Sequence, residues 1–141
     1  MPLHLQIVTP ERLAYEDDVD MVLVPGIDGE LGILPHHTPL VSLLGVGELT
    51  IRKSGSEETF AIAGGFLQVR PDKVVVMAET ADLASEIDLE TAQRARADAE
   101  RALESGGDGA DLSAARAELQ RALVRIRVAE RRHREGPRSR G

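Results

Sequence analysis

Residues 25–40 read PGIDGELGILPHHTPL, and this stretch decides how the rest of the chain is understood. It sets Pro25, Pro35 and Pro39, Gly26, Gly29 and Gly32, the pair His36-His37 and the carboxylates Asp28 and Glu30 between two apolar runs. Glycine reaches backbone angles that other residues avoid, and proline fixes φ and removes a donor. A long helix or an unbroken central strand is therefore excluded. The expected structure is a set of tight turns around a short strand, Glu30 to Leu34, exposed at one end of an all-β unit. Such a turn serves either as a fixed-shape contact for a partner or simply as a structural corner of a sandwich.

Outward from this stretch the pattern is that of short strands with Gly and Pro punctuation. Leu3 to Ile7 alternates apolar and polar residues and stops at Thr9-Pro10. Val19 to Val24 is a β-branched run ending at Pro25-Gly26. Glu48 to Arg52 alternates again, and Ser54-Gly55-Ser56 turns the chain into Thr59 to Ala63. Gly64-Gly65 interrupts before Phe66 to Arg70, and Pro71-Asp72 leads into Lys73 to Ala78. A β-sandwich or barrel ending near Ala84 is expected, giving a first domain at 1–84.

The period then changes. From Asp88 to Ser105 there is no Pro or Gly, and Ala, Glu and Arg dominate, all good helix formers. Asp88 suits the N-cap and Glu90 the first turn. Gly106-Gly107-Asp108-Gly109 breaks the helix, and a second is expected from near Asp111 to about Arg134, where Gly136-Pro137 stops it and a basic, disordered tail follows. Ala92, Ala95, Ala99 and Ala102 repeat at heptad spacing in the first helix, and Leu112, Ala115, Leu119, Ala122, Ile126 and Ala129 in the second. The second domain, 85–141, is thus expected to be an antiparallel α-helical hairpin. Burying an alanine methyl contributes about 0.8 kcal/mol against about 1.5–3 kcal/mol for a Leu or Ile. This weak seam leaves two readings open: a mobile hairpin able to detach, or a permanently folded one with close alanine packing.

Charge divides the chain in the same way. Residues 1–90 carry five basic and sixteen acidic side chains, a net of −11, and residues 91–141 carry twelve and eight, a net of +4. The acidic front half disfavours nucleic acid, and with Tyr15, Phe60 and Phe66 as the only aromatics there is no stacking platform. Cysteine is absent, so thiol chemistry is excluded. No apolar run reaches the roughly 18 residues of a membrane span, and no secretory signal is expected. The only lysines are Lys53 and Lys73, which excludes a P-loop, and no GxSxG or HExxH pattern occurs. His36 and His37, being consecutive, point to opposite sides of an extended chain, so no metal site is expected. Residues 113–141 hold nine arginines against three acids. Arg121, Arg125 and Arg132 step along one side of the second helix, with Arg127, Arg131 and Arg134 in a neighbouring row. Such a face fits an acidic partner, a phosphate ligand, or only solvent.

Taken in order, Val24 to Leu40, Gly47 to Ile51 and Ala63 to Val69 closely resemble the epsilon subunit of the F-type ATP synthase. Ile7-Val8-Thr9-Pro10, Ala78-Glu79-Thr80-Ala81 and the C-terminal hairpin match as well. The resemblance covers nearly the whole chain. It implies a ten-stranded antiparallel β-sandwich followed by two helices. It also implies a non-catalytic, rotating central-stalk subunit, peripheral on the cytoplasmic face of the bacterial cell membrane. The implied partners are the gamma subunit, the membrane c-ring and the alpha/beta catalytic head, with no insertion into the membrane. The family's c-ring contact maps onto Glu30, Leu31 and His37. Its inhibitory basic face, which blocks ATP hydrolysis when the hairpin extends along gamma, maps onto Arg121, Arg125, Arg131 and Arg132. Two departures stand out. The family's Pro-Gly-His is Pro35-His36-His37 here. Some members bind regulatory ATP through an Ile/Leu-Asp-x-x-Arg-Ala motif, which here is Ile87-Asp88-Leu89-Glu90-Thr91-Ala92. With Thr91 in place of the arginine, no cofactor is expected beyond weak ATP binding at Ile87, Asp88 and Ala92 with Arg94 as a substitute cation. The rival readings are a free-standing ATP-responsive regulator and a sandwich-plus-hairpin adaptor for some other acidic partner.

Overall fold

The computed structural model describes the backbone of residues 2–135 and the side chains as far as Arg131. The basic tail expected beyond Gly136 lies outside the described residues. Two compact units meet between Leu83 and Ala84. The first holds β1 (Leu3–Val8), β2 (Leu13–Val19), β3 (Met21–Gly26), β4 (Gly29–Ile33), β5 (Leu40–Lys53), β6 (Ser56–Val69) and β7 (Val74–Leu83). They form one sheet in the order β2-β1-β7-β6-β5-β3-β4, antiparallel except for β1 against β7.

The sheet folds back on itself. Three strands separate β2 from β5 in the order, yet the Lys53 ammonium donates to the Asp17 carboxylate at 2.5 Å. One core then collects the inward residues of all seven strands, among them Leu5 and Ile7, Val19, Val22 and Val24, Ile33, Leu49 and Ile51, Phe60 and Ile62, Leu67, and Val74 and Val76. This explains the strand count. Seven continuous strands stand where ten are implied, because β5, β6 and β7 each run through a bend and serve both layers. The β5–β6 ladder pairs Leu44 with Gly65 and Val46 with Ala63 and skips Gly45 and Gly64 between them. The β6–β7 ladder likewise skips Gly64 and Glu79.

Gly64-Gly65 is therefore a bend inside one strand rather than a break between two. Gly65 has φ +116°, and a Cβ there would lie 1.9 Å from the Met77 carbonyl oxygen. Only glycine lets the two backbones approach this closely while pairing resumes on either side. β2 has no counterpart in the expected strands. Its sequence, Leu-Ala-Tyr-Glu-Asp-Asp-Val, carries three acids, which depress strand propensity, and edge pairing to β1 overrides that preference.

The second unit begins with a 3-10 turn at Ala84–Glu86 and continues as α1 (Leu89–Ser105) and α2 (Gly109–Glu135). Asp88 caps α1, accepting from the backbone N–H groups of Glu90 at 3.1 Å and Thr91 at 3.4 Å. Asp108 accepts from the Asp111 N–H at 2.9 Å, which starts α2 two residues before the expected position. The seam of α1 also shifts. Ala92 and Ala99 are buried, but Ala102 is exposed and Leu103 takes its place, because a straight 3.6-residue helix drifts off a strict seven-residue repeat.

Replacing Gly65 with alanine forces both a steric overlap and an unfavourable φ. A loss of about 3 kcal/mol in unfolding free energy is expected. Urea denaturation of the purified chain measures it, and a midpoint unchanged from the parent would show that the bend does not need glycine.

Candidate interaction surfaces

β3 and β4 form a hairpin whose two-residue turn is Ile27-Asp28. Pro25 sits opposite Glu30 and Gly26 opposite Gly29. The hairpin is tight, since a Cβ at Gly26 would lie 2.6 Å from the Gly29 carbonyl oxygen, and Gly29 has φ +137°. The Ile27 N–H donates to the Leu43 carbonyl at 3.0 Å and anchors the tip to β5. Glu30 is exposed and has no ionic partner among the described residues. Leu31 is half-buried against the core and fixes the strand from behind. The outcome is a rigid tip that presents an acid, Asp28, and the apolar Ile27, which is 61% exposed.

The chain leaves β4 through a second turn. The His37 N–H donates to the Leu34 carbonyl at 3.2 Å across Pro35-His36, and His36 has φ +68°. Proline followed by a left-handed residue is the pattern of a type II turn, whose third position favours glycine. His36 thus occupies, with a side chain, a conformation suited to the glycine of the family's Pro-Gly-His. His37 is half-buried, and its Nδ1–H donates to the Thr38 carbonyl at 2.7 Å, which sets its ring tautomer. Glu30 stands beside the hairpin turn at the start of β4, His37 stands in the turn beyond its far end, and the two share no bond.

A second surface is absent from the sequence reading. Leu43 pairs with Phe66, Phe66 with Met77, Met77 with Val8, and Val8 with Leu13. All point away from the core, because the intervening residues Leu44, Leu67, Val76 and Ile7 are buried. An apolar row thus crosses five strands. Leu43, Phe66, Met77 and Leu13 are 50%, 49%, 42% and 52% exposed, and Val41, one step along β5 on the same side, is 70% exposed. The signal was present in the runs Leu40-Val41-Ser42-Leu43-Leu44 and Val74-Val75-Val76-Met77, which are apolar on both faces instead of alternating.

In the second unit, Arg121, Arg125 and Arg131 lie on α2, each half-buried, and Arg121 donates to Glu118 at 2.7 Å. The Arg132 side chain lies outside the described residues. The four residues matched to an ATP motif are engaged locally. Asp88 holds the helix cap and also accepts from the Thr91 hydroxyl at 2.9 Å. That hydroxyl, with the cap N–H groups, holds the Asp88 carboxyl below the usual carboxylate range. Arg94 pairs with Glu90 at 2.9 Å, Ala92 is 1% exposed, and the Ile87 N–H donates to the Ala84 carbonyl at 3.3 Å. Thr91, a missing cation in the motif, is here a second ligand of the cap. Near the turn between α1 and α2 the facing side chains leave an open cleft of about 620 Å³ among Ala95, Ala99, Ala102, Ala114 and Ala115.

Residues 2–84 match the family model described as ATP synthase, Delta/Epsilon chain, beta-sandwich domain, and residues 85–130 match its long alpha-helix domain. The chain belongs to the ATP synthase delta/epsilon chain family. It is similar to the ATP synthase epsilon chain of Chloroflexus aggregans, with 47% identity over 92% of this chain and 94% of that one. It is likewise 45% identical to that of Herpetosiphon aurantiacus over 96% and 100%. In fold it resembles a chain of the Euglena gracilis mitochondrial ATP synthase structure, with TM-score 0.78, 22% identity and coverage of 93% of this chain and 82% of that one. A chain in the Tetrahymena thermophila mitochondrial ATP synthase central stalk and c-ring gives TM-score 0.62 at 17% identity, covering 92% of this chain and 97% of that one. Family membership makes this an epsilon-type, non-catalytic chain of the complex. Among the described residues no helix is long and apolar enough to cross a membrane.

The left-handed His36 yields a direct test of the turn. A side chain in this conformation costs about 1–2 kcal/mol, partly offset by the greater unfolded-state freedom of glycine. His36→Gly is expected to raise stability by about 0.5–1 kcal/mol and His36→Val to lower it by more than about 1 kcal/mol. Thermal melts of the two variants check this; equal melting temperatures would contradict the turn assignment.

Proposed function

We propose that this chain joins the gamma subunit to the c-ring in the central stalk and turns with them, on the cytoplasmic face of the membrane. The observation that carries the reading is the apolar row Leu13–Val8–Met77–Phe66–Leu43. Exposed apolar area of this continuity is uncommon on a free-standing domain and suits a lasting protein interface. Gamma is assigned to the row. The c-ring is assigned to the hairpin tip, where Glu30 faces outward on a rigid frame with Leu31 behind it, and to His37 in the turn that follows β4. A carboxylate there suits a basic loop of the ring and would fix register on a rotating part.

The helical unit acts, on this reading, as a brake. The buried residues of α1 are Ala92 and Ala99, each worth about 0.8 kcal/mol, so α1 contributes little to holding α2, and Val124, Ile126 and Val128 of α2 are the larger buried side chains that extension would uncover. Extended along gamma, α2 would bring Arg121, Arg125, Arg131 and Arg132 toward acidic segments of the catalytic beta subunits and restrain ATP hydrolysis. Nucleotide has little part in holding the hairpin closed. Asp88 is committed to the helix cap and Arg94 to Glu90, which leaves a weak phosphate site at best.

Copurification with gamma tests the docking row. Phe66→Asp places a charge at its centre without touching the core. At least about a hundredfold loss of gamma affinity is expected, with an unchanged circular dichroism spectrum. Retention of gamma by the folded variant would refute the assignment. Truncation after Ala84 is expected to leave assembly and ATP synthesis intact while raising ATP hydrolysis. Hydrolysis rates equal to those of the full chain would remove the inhibitory role.

A further inference from the structure

β2 is an edge strand with an unusual charge load. Glu16, Asp17, Asp18 and Asp20 fall within five residues. Like charges this close repel, and an edge strand pairs on one side only, here with β1. The compensating groups can be enumerated. Lys53 from β5 bonds Asp17, Lys73 at the start of β7 acts on Glu16 through space, and the Ser54 N–H donates to Asp20 at 2.8 Å. From β1, Gln6 donates to Glu16 Oε2 at 2.7 Å, and His4 lies between Glu16 and Asp18. Its Nε2 is 2.8 Å from Glu16 Oε2 and its Nδ1 is 2.8 Å from Asp18 Oδ1.

The chemistry of this arrangement is restrictive. Ionised carboxylates only accept, so both ring nitrogens must donate. A neutral imidazole carries one N–H and would turn a lone pair toward a carboxylate. The geometry is therefore that of an imidazolium bridging two residues of the neighbouring strand.

We propose that His4, held by both ring nitrogens between Glu16 and Asp18, is a protonation-controlled clasp on the edge strand β2, closed as the imidazolium and open once that proton leaves. Hydrogen bonds to Asp18 and then Glu16 favour the charged ring and lift its pKa above 6.5, while partial burial opposes this. The sign follows from linkage. A cation favoured in the folded state stabilises it fully below the ordinary histidine pKa, and that contribution disappears as pH rises through the raised folded-state value. β2 thus tightens toward neutral and acidic pH and loosens in alkali. Because β2 begins with Leu13, one end of the apolar row, opening the clasp also withdraws that end from the gamma surface. This last consequence rests on the docking reading above; the clasp does not.

Amide hydrogen exchange of the free full-length chain, read by NMR between about pH 6 and about pH 9, tests the clasp apart from any partner. After correction for intrinsic base catalysis, the amides of residues 14–18 are expected to exchange at least about tenfold faster, relative to those of β5 and β6, across the His4 titration. His4→Leu removes both donors and is expected to give fast β2 exchange at either pH. Should that variant fail to fold, the carbon-bound ring protons of wild-type His4 still decide. A His4 midpoint at or below the ordinary histidine value, or β2 exchange that stays in step with β5 and β6 throughout, overturns the proposal. Loss of gamma binding by Phe66→Asp alongside pH-independent β2 exchange would leave the docking row standing and the clasp refuted.

Discussion

The sheet closes over itself because its three longest strands bend along one line, through Gly45, Gly64 and Glu79. At that line Gly65 lies against the Met77 carbonyl, closer than any side chain allows. The bend brings the inward residues of the seven strands into one core, and it also decides what lies outside. Leu43, Phe66 and Met77 sit one or two residues from the bend on β5, β6 and β7, so the apolar row runs alongside it. The Ile27 N–H bonds the Leu43 carbonyl, so the acidic hairpin is fixed to the end of the same row. Two surfaces of opposite chemistry, one apolar and one carboxylate-bearing, are thereby held in a set relation on one rigid unit.

Much of this was legible in the residues. Alternation gave β1 and the later part of β5, proline and glycine marked the turns on both sides of β4, and Asp88 followed by seventeen residues without a breaker gave α1 and its cap. The misses have physical causes. β2 is written in acids, and its strand conformation comes from pairing with β1 and from His4 and Lys53, contacts made across the fold. The glycine pair in β6 reads as a stop, because the sequence does not show that a neighbouring carbonyl occupies the space of the missing side chain. The apolar row was hidden by the same rule that found the strands, since alternation is read as one face buried, whereas Leu43, Phe66 and Met77 make the outward face apolar too. At the candidate ATP residues the motif does not show the bonds that they make in the fold. Thr91 reads as a lost cation until its hydroxyl is seen bonding the Asp88 carboxylate.

The two units differ in how strongly they can adhere, and that difference carries the proposed mechanics. Covering side chains the size of Leu43, Phe66 and Met77 yields about 1.5–3 kcal/mol for each when burial is complete. Three or four such residues meeting a complementary surface make an attachment that survives torque. Toward its turn the helical hairpin closes on buried alanines, Ala99, Ala115 and Ala122, at about 0.8 kcal/mol each and leaves an open cleft, while Val124, Ile126 and Val128 are buried further along α2. Its exposed intrahelical pairs, Arg94 with Glu90, Arg96 with Glu100 and Arg121 with Glu118, contribute a few tenths of a kcal/mol apiece and persist whether or not the helices stay together. Opening the hairpin therefore preserves each helix and sacrifices only the seam. A unit of this kind can change partners without unfolding, while the sandwich, whose bend tolerates no side chain at Gly65, keeps its shape and so suits the fixed place on the rotor proposed for it.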